Sequence, residues 1–306
     1  MKRNVLIALM LTIVMVLSGC QSASNTQLPN TDRAGLAIEL PKEVKTIVSL
    51  APSTSQVIEA LGMKDKLIAV DTQTPFYVDG VDKLPQFDLM GADLEALAAL
   101  KPDIVFTTGM SSMDGEDSFA QLKELGIVVA TIPSSDSIEG VKLDNQFIAD
   151  ALNLSKKGEE LNGQMQKEID AITAIAKDID EPKTVLFEIA ALPTIYSFGN
   201  STFLHEMIEL IGARNIFADQ MGWLAVTEEA AISANPDVIL TNVNYIEDSI
   251  GEIKSRDGWE EVNALKNNAV YYIDNGYSSL PNHNIVKALK EMALAVYPEA
   301  FASLKD

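Results

Sequence analysis

The stretch EALAALKPDIVF (95–106) recurs as EAAISANPDVIL (229–240), and this repetition decides the architecture. One constant offset pairs Glu95 with Glu229, Ala96 with Ala230, Pro102 with Pro236 and Asp103 with Asp237. Each copy reads as an acidic helix start, a short helix, a Pro-Asp stop and an apolar strand. A second phrase repeats in the same order. A strand runs into Pro52-Ser53-Thr54 and a helix closing at Gly62; later a strand runs into Asn200-Ser201-Thr202 and a helix closing at Gly212. Ser, Thr or Asn satisfies the free N–H groups at a helix start, and Gly ends the helix. Two phrases in one order argue for two lobes of like build.

Outward from these phrases, Val- and Ile-rich runs alternate with helical patterns. The runs are TIVSLAP (46–52), LIAVDT (67–72), DIVFTTG (103–109) and IVVATIP (127–133), then TVLFEIAA (184–191), IYSFG (195–199), VILTNVN (238–244) and VYYIDN (270–275). Such alternation builds βαβ units and a mainly parallel sheet. Residues 138–179 break it and carry only helical periodicity. There Leu161, Met165, Ile169, Ile172 and Ile175 or Ala176 recur at spacings of three and four, one apolar stripe on a long helix that Glu181-Pro182 ends. The expected fold is α/β, with two Rossmann-like lobes of mainly parallel sheet bridged by one long interlobe helix.

Residues 1–19 read as a signal peptide: Lys2 and Arg3, then the apolar run VLIALMLTIVMVL (5–17) and LSGC (17–20). The run is shorter than the roughly 20 residues a membrane-spanning helix needs. Cys20, the only cysteine, follows Ser18-Gly19 as in a bacterial lipobox, where it would be acylated and become the mature N-terminus. Residues 20–40 are then expected to be a lipid-anchored flexible tether, 41–153 the N-terminal lobe, 154–180 the interlobe helix and 181–306 the C-terminal lobe. The net charge of −21 excludes nucleic-acid binding and leaves the lipid as the only attachment to a membrane.

The chain resembles the class III substrate-binding proteins of ABC importers. The words that carry the likeness are KTIVSLAPSTSQVIEALG (45–62), DLEALAALKPDIVF (93–106), LKELGIVVATIP (122–133), STFLHEMIELIGARNIFAD (201–219), EEAAISANPDVIL (228–240) and GWEEVNALKNNAVYYID (258–274). The resemblance implies an extracytoplasmic, lipid-anchored, monomeric carrier with no enzymatic activity and no intrinsic cofactor. Its cargo would be a ferric siderophore, cobalamin or haem held between the lobes, with the cobalamin and iron-chelate subgroup the nearer likeness. It further implies that Glu95 and Glu229 dock on arginines of the two permease subunits. By helix chemistry alone, carboxylates at those positions also gain about 0.3–1 kcal/mol from the helix dipole.

Ligand contacts belong on loops at the carboxyl ends of the strands. Loops 72–78, 109–115, 191–193, 221–224, 244–246 and 276–284 offer Phe76, Tyr77, Met110, Met113, Trp223, Tyr245, Tyr277 and His283, a wall suited to a large organic ligand. The chain's two histidines, His205 and His283, both fall in the second lobe, too few for a bare-metal site drawn from both lobes. His205 is expected on the surface of its helix, beside a core stripe of Phe203, Leu204, Met207, Ile208 and Ile211. His283 is open to two roles, a helix start or a haem ligand partnered by Met113 or Tyr77. After the signal peptide the arginines are Arg33, Arg214 and Arg256, none in a candidate loop, which points to a neutral or cationic ligand. A chelatase-like enzyme and a surface adhesin are the competing classes. No nucleophile elbow, zinc-protease helix or phosphate loop supports the first.

Overall fold

The computed structural model describes residues 28–109 and 117–304. In the first lobe the strands β1 (Ile47–Ser49), β2 (Leu67–Asp71), β3 (Gln86–Phe87), β4 (Ile104–Thr108) and β5 (Val128–Ile132) form one parallel sheet in the order β3-β2-β1-β4-β5. In the second, β6 (Thr184–Glu188), β8 (Arg214–Asn215), β10 (Val238–Thr241) and β11 (Val270–Tyr272) are also parallel, in the order β8-β6-β10-β11. Flanking β8 in the chain, β7 (Ile195–Phe198) and β9 (Trp223–Val226) add a separate two-stranded antiparallel sheet to the second lobe. Both sheets reverse direction of growth beside their first strand, which opens a crevice at the carboxyl ends.

The repeated Pro-Asp has a structural reason. Asp103 Oδ2 accepts the backbone N–H groups of Lys45 and Thr46 and the Thr46 hydroxyl, while Thr46 Oγ1 accepts the Asp103 N–H. Asp237 repeats this on Thr184, at 2.9 Å to the N–H and 2.7 Å to the hydroxyl. Each aspartate thus latches the start of β4 or β10 to the start of β1 or β6. Partial burial works to raise both carboxyls, and the hydrogen bonds outweigh it and hold them below the usual range. The latches are therefore at full strength above the unfolded carboxyl's pKa and weaken as pH falls through the lowered value.

The helices are α1 (Pro52–Ala60), α2 (Leu94–Ala99), α3 (Ala120–Glu124), α4 (Ile138–Ala151), α5 (Ser155–Ala176), α6 (Phe203–Leu210), α7 (Glu228–Ala234), α8 (Ser249–Lys254), α9 (Asn263–Lys266), α10 (Asn275–Ser279) and α11 (Ile285–Val296). None of the described helices is long and apolar enough to cross a membrane. The long helix, α5, carries the expected stripe. Met165, Ile169, Ile172 and Ala176 enter the second lobe's core, and Leu161 packs on the first lobe's.

The bridge also includes α4, whose Ile138 and Val141 join the second core while Phe147, Ile148 and Ala151 join the first. Gly158 lets the two bridging helices touch, since a Cβ there would sit 2.6 Å from the Ala149 Cβ. Two apolar cores continuous with the same helix pair favour a stiff relation between the lobes.

Three expectations change. The stretch read as a tether is folded from residue 28 onward: Thr31 bridges Ala37, and Asp32 is buried. His205 is not on the surface. Its ring is covered, with Nδ1 3.4 Å from Asn215 Nδ2, because β8 packs against α6 on the side away from the core stripe. The segment 221–224 is not simply a loop, since Trp223 and Leu224 pair with Phe198 and Ser197 in the antiparallel β7–β9 sheet. The signal peptide, Cys20, Met110 and Met113 lie outside the described residues.

Candidate interlobe site

Among the described residues, three adjoining hollows line the crevice between the lobes. The first, about 450 Å³, lies over the carboxyl ends of β1, β2, β4 and β5, with Ser279–Pro281 of the second lobe closing it. The second, about 360 Å³, lies between Ser134–Asp136 of the first lobe and Ile189, Thr202, Trp223 and Asn242 of the other. The third, about 490 Å³, lies between Gln56, Phe76 and Tyr77 on one side and Tyr272, Asn275 and Tyr277 on the other. Gln73 and Tyr77 border the first and third, and Ser134, Ser279 and Pro281 the first and second. Each volume is in the range of small-molecule sites, roughly 300–1,000 Å³.

The floor is tied across the lobes by polar side chains. Asn282 Nδ2 donates to Gln56 Oε1 at 2.6 Å, and the Tyr77 hydroxyl donates to Asn275 Oδ1 at 3.3 Å. Glu206 of α6 accepts the Ile138 N–H at 2.7 Å, capping the start of α4. Burial, aided by Asp274 and Tyr272, raises the Tyr77 phenol and keeps it a donor. Asn145 Oδ1 and Asn242 Oδ1 are buried and have no hydrogen-bond partner among the described residues. One belongs to each lobe's side of the crevice, and each is an acceptor in search of a donor.

The charge of the lining is one-sided. Asp71, Asp88 and Asp144 border the first hollow, Asp136 the second and Asp274 the third. Among the described residues that line the three there is no lysine or arginine. The sequence 110–116, MSSMDGE, contains none either. Burial raises the Asp71 carboxyl against the opposing backbone N–H groups of Gln73, Leu89 and Thr72, and Asp88 raises it further. Burial also raises Asp144, against Ser135 and Arg33. Such a wall repels anions and accepts N–H donors or cations.

The residues expected from the sequence divide. Phe76, 78% exposed, and Tyr77 line the crevice from the first lobe, and Trp223 and Tyr277 from the second. Trp223 meets Phe198 edge to face, and Lys287 Nζ stands 4.8 Å from the Tyr277 ring. Tyr245 is outside the lining of these hollows: its hydroxyl accepts the Ala191 N–H at 2.9 Å and its ring faces solvent. His283 is outside it too, next to the start of α11. The polar lining was missed because the expected wall was drawn from aromatic, methionine and histidine residues. Ser134-Ser135-Asp136, directly after the strand run 127–133, was the available signal. Asp144 and Asn145, on a helix face, left none.

His283 yields a pH prediction. Unfolded, it takes a proton near 6.5; in the fold, burial, then Lys287, pushes it down to about 4. The unfolded chain binds the extra proton between those values, so stability falls as pH drops through that window, by about 3 kcal/mol. Thermal melts of wild type and H283Q over this range isolate the effect from Asp71 and Asp144, whose raised carboxyls act in the opposite sense. A difference that does not change with pH would contradict it.

The repeated glutamates sit at matching places. Asp93 caps α2 by accepting the Ala96 N–H, and Thr227 caps α7 by accepting the Ala230 N–H, so Glu95 and Glu229 are both second in their helices and both exposed. Each helix hands on to a parallel strand and runs against it, which puts its start at the carboxyl end of the sheet, the crevice side. The neighbouring Glu228 is committed elsewhere, accepting the indole N–H of buried Trp259 at 3.0 Å.

Comparison with known proteins agrees with this build. Residues 47–277 match the family model described as periplasmic binding protein. An ABC transporter substrate-binding lipoprotein, YvrC of Bacillus subtilis, is 32% identical over 98% of this chain and 99% of its own. A vitamin B12-binding protein of Vibrio parahaemolyticus is 24% identical over 86% of this chain and 91% of its own. A solved structure from Staphylococcus epidermidis, described as a possible iron-binding periplasmic solute-binding protein, superposes with a TM-score of 0.74 at 28% identity over 84% of this chain and 100% of that one. Two α/β lobes, a crevice at the carboxyl ends of both sheets and these matches place the chain in one family: it is a periplasmic binding protein, the substrate-binding component of an ABC importer.

Proposed function

We propose that the protein captures a neutral or cationic metal chelate, of cobalamin or ferric hydroxamate type, in the interlobe crevice and delivers it to its permease. The observation that carries this reading is the lining itself, which combines Tyr77, Trp223 and Tyr277 with five carboxylates, Asp144 alone of them paired to an arginine from behind, and, among the described residues, no basic side chain in the lining. An anionic chelate would lose its hydration there without gaining a cation. The name of the V. parahaemolyticus relative favours cobalamin. Haem is the alternative cargo, but His283 stands outside the lining, which leaves Tyr77 as the described axial candidate. The carrier would be lipid-anchored through Cys20, act as a monomer without catalysis, and dock through Glu95 on one permease subunit and Glu229 on the other.

The chain's two tryptophans make a direct test, because Trp223 lines the crevice and Trp259 is fully buried away from it. Fluorescence titration with cyanocobalamin, ferrioxamine B, haem and an anionic ferric tricatecholate is expected to give saturable quenching by one of the first two. W259F should keep that response and W223F should lose most of it. Tightest binding of the tricatecholate, or no response to any of the four, would overturn the proposal.

A further inference from the structure

The segment just before the first lobe reaches the crevice. Asp32 Oδ1 accepts the N–H groups of Ala34 and Leu36, which closes a tight turn, and its Oδ2 accepts the buried N–H of Thr131 at 2.9 Å. Thr131 belongs to β5, and the next three residues, Ile132, Pro133 and Ser134, line the first hollow. From the same turn Arg33 places Nε 2.6 Å from Asp144 Oδ1. Asp144 is 3% exposed and lines that hollow, and its other oxygen takes the Ser135 hydroxyl. Both oxygens of this buried carboxylate are therefore held, one of them by a residue that belongs to neither lobe's sheet.

We infer that Arg33 is a specificity-determining residue of the crevice, acting through Asp144. It is a positioning residue, since it does not itself line the hollow. With Arg33 in place, the Asp144 wall is neutral as a pair and its carboxylate is fixed against α4. Without it, a buried carboxylate faces the hollow with only a hydroxyl donor. It must then attract a positive group from the cargo or take up a proton. Arg33 thus tilts the site toward neutral cargo. The inference rests on the reading of the crevice as the cargo site.

The test compares the full chain with R33Q, R33K and R33Q/D144N, titrated with neutral cyanocobalamin and cationic ferrioxamine B. R33Q is expected to shift the ratio of the two affinities toward the cation by about tenfold, as a partly desolvated charge contact would. R33K should hold the ratio near that of wild type, and R33Q/D144N should restore it. A merely structural role would weaken both probes alike and leave the ratio unmoved. Binding with an unchanged ratio in R33Q, or a ratio not restored by D144N, overturns the role of Arg33 alone. Failure of wild type to bind either probe overturns the cargo reading and, with it, this inference.

Discussion

Cells carrying E95R/E229R in place of the wild-type protein should take up cargo at least about tenfold more slowly, while the purified variant binds cargo within about twofold of wild type. The separation follows from geometry. Both carboxylates are exposed at helix starts, outside the lining of the crevice, so nothing that touches cargo is altered. Placing arginine against arginine at a docking surface costs several kcal/mol, whereas the free protein loses only the small helix-dipole gain. Single reversals should each give an intermediate rate, because the unaltered lobe keeps its contact. Uptake at the normal rate by the double variant would mean that docking uses another surface. Parallel loss of binding would mean that the glutamates act on the cargo site.

The second large effect concerns Arg256. Its guanidinium makes a two-pronged pair with Glu188 at 2.7 and 2.9 Å and a further contact to Glu252 at 2.6 Å, and it stacks 5.0 Å from the Trp259 ring. Burial works to lower its pKa, and the two carboxylates outweigh that and raise it, so the group stays charged. Glu188 ends β6 and Arg256 follows α8, so the pair pins α8 to the sheet beside the loop that carries Asn242. R256M leaves Glu188, 1% exposed, without its counter-charge and should destabilise the protein by about 3–5 kcal/mol in chemical unfolding. E188M/R256M should recover most of that loss, because replacing both members removes the unpaired charge. A small loss in R256M would show that water reaches Glu188.

Much of the fold was legible in the sequence, for identifiable reasons. The two Pro-Asp phrases were visible because each aspartate performs the same task, fastening paired strands at their starts. The α5 stripe was visible because a helix of this length repeats its period several times. β3 and β8, of two residues each, are too short to show alternation, and the first half of β9 fell in the segment read as loop, 221–224, because its outer face is exposed. Arg33 looked like part of a linker because nothing local marks it; its partner lies 111 residues away. The aromatic half of the crevice was readable from loops after strands. Of the polar half, Asp136 could have been read from the loop after 127–133, whereas Asp144 and Asn145 could not, since they reach the crevice from the side of α4.

Crystals of the protein grown with cyanocobalamin or ferrioxamine B, measured at the cobalt or iron absorption edge, test the central claim most directly. One anomalous peak is expected between the lobes, bounded by Tyr77, Ser134, Trp223 and Pro281. A peak on the outer surface or at His283, or empty hollows at a probe concentration that saturates binding in solution, would contradict it.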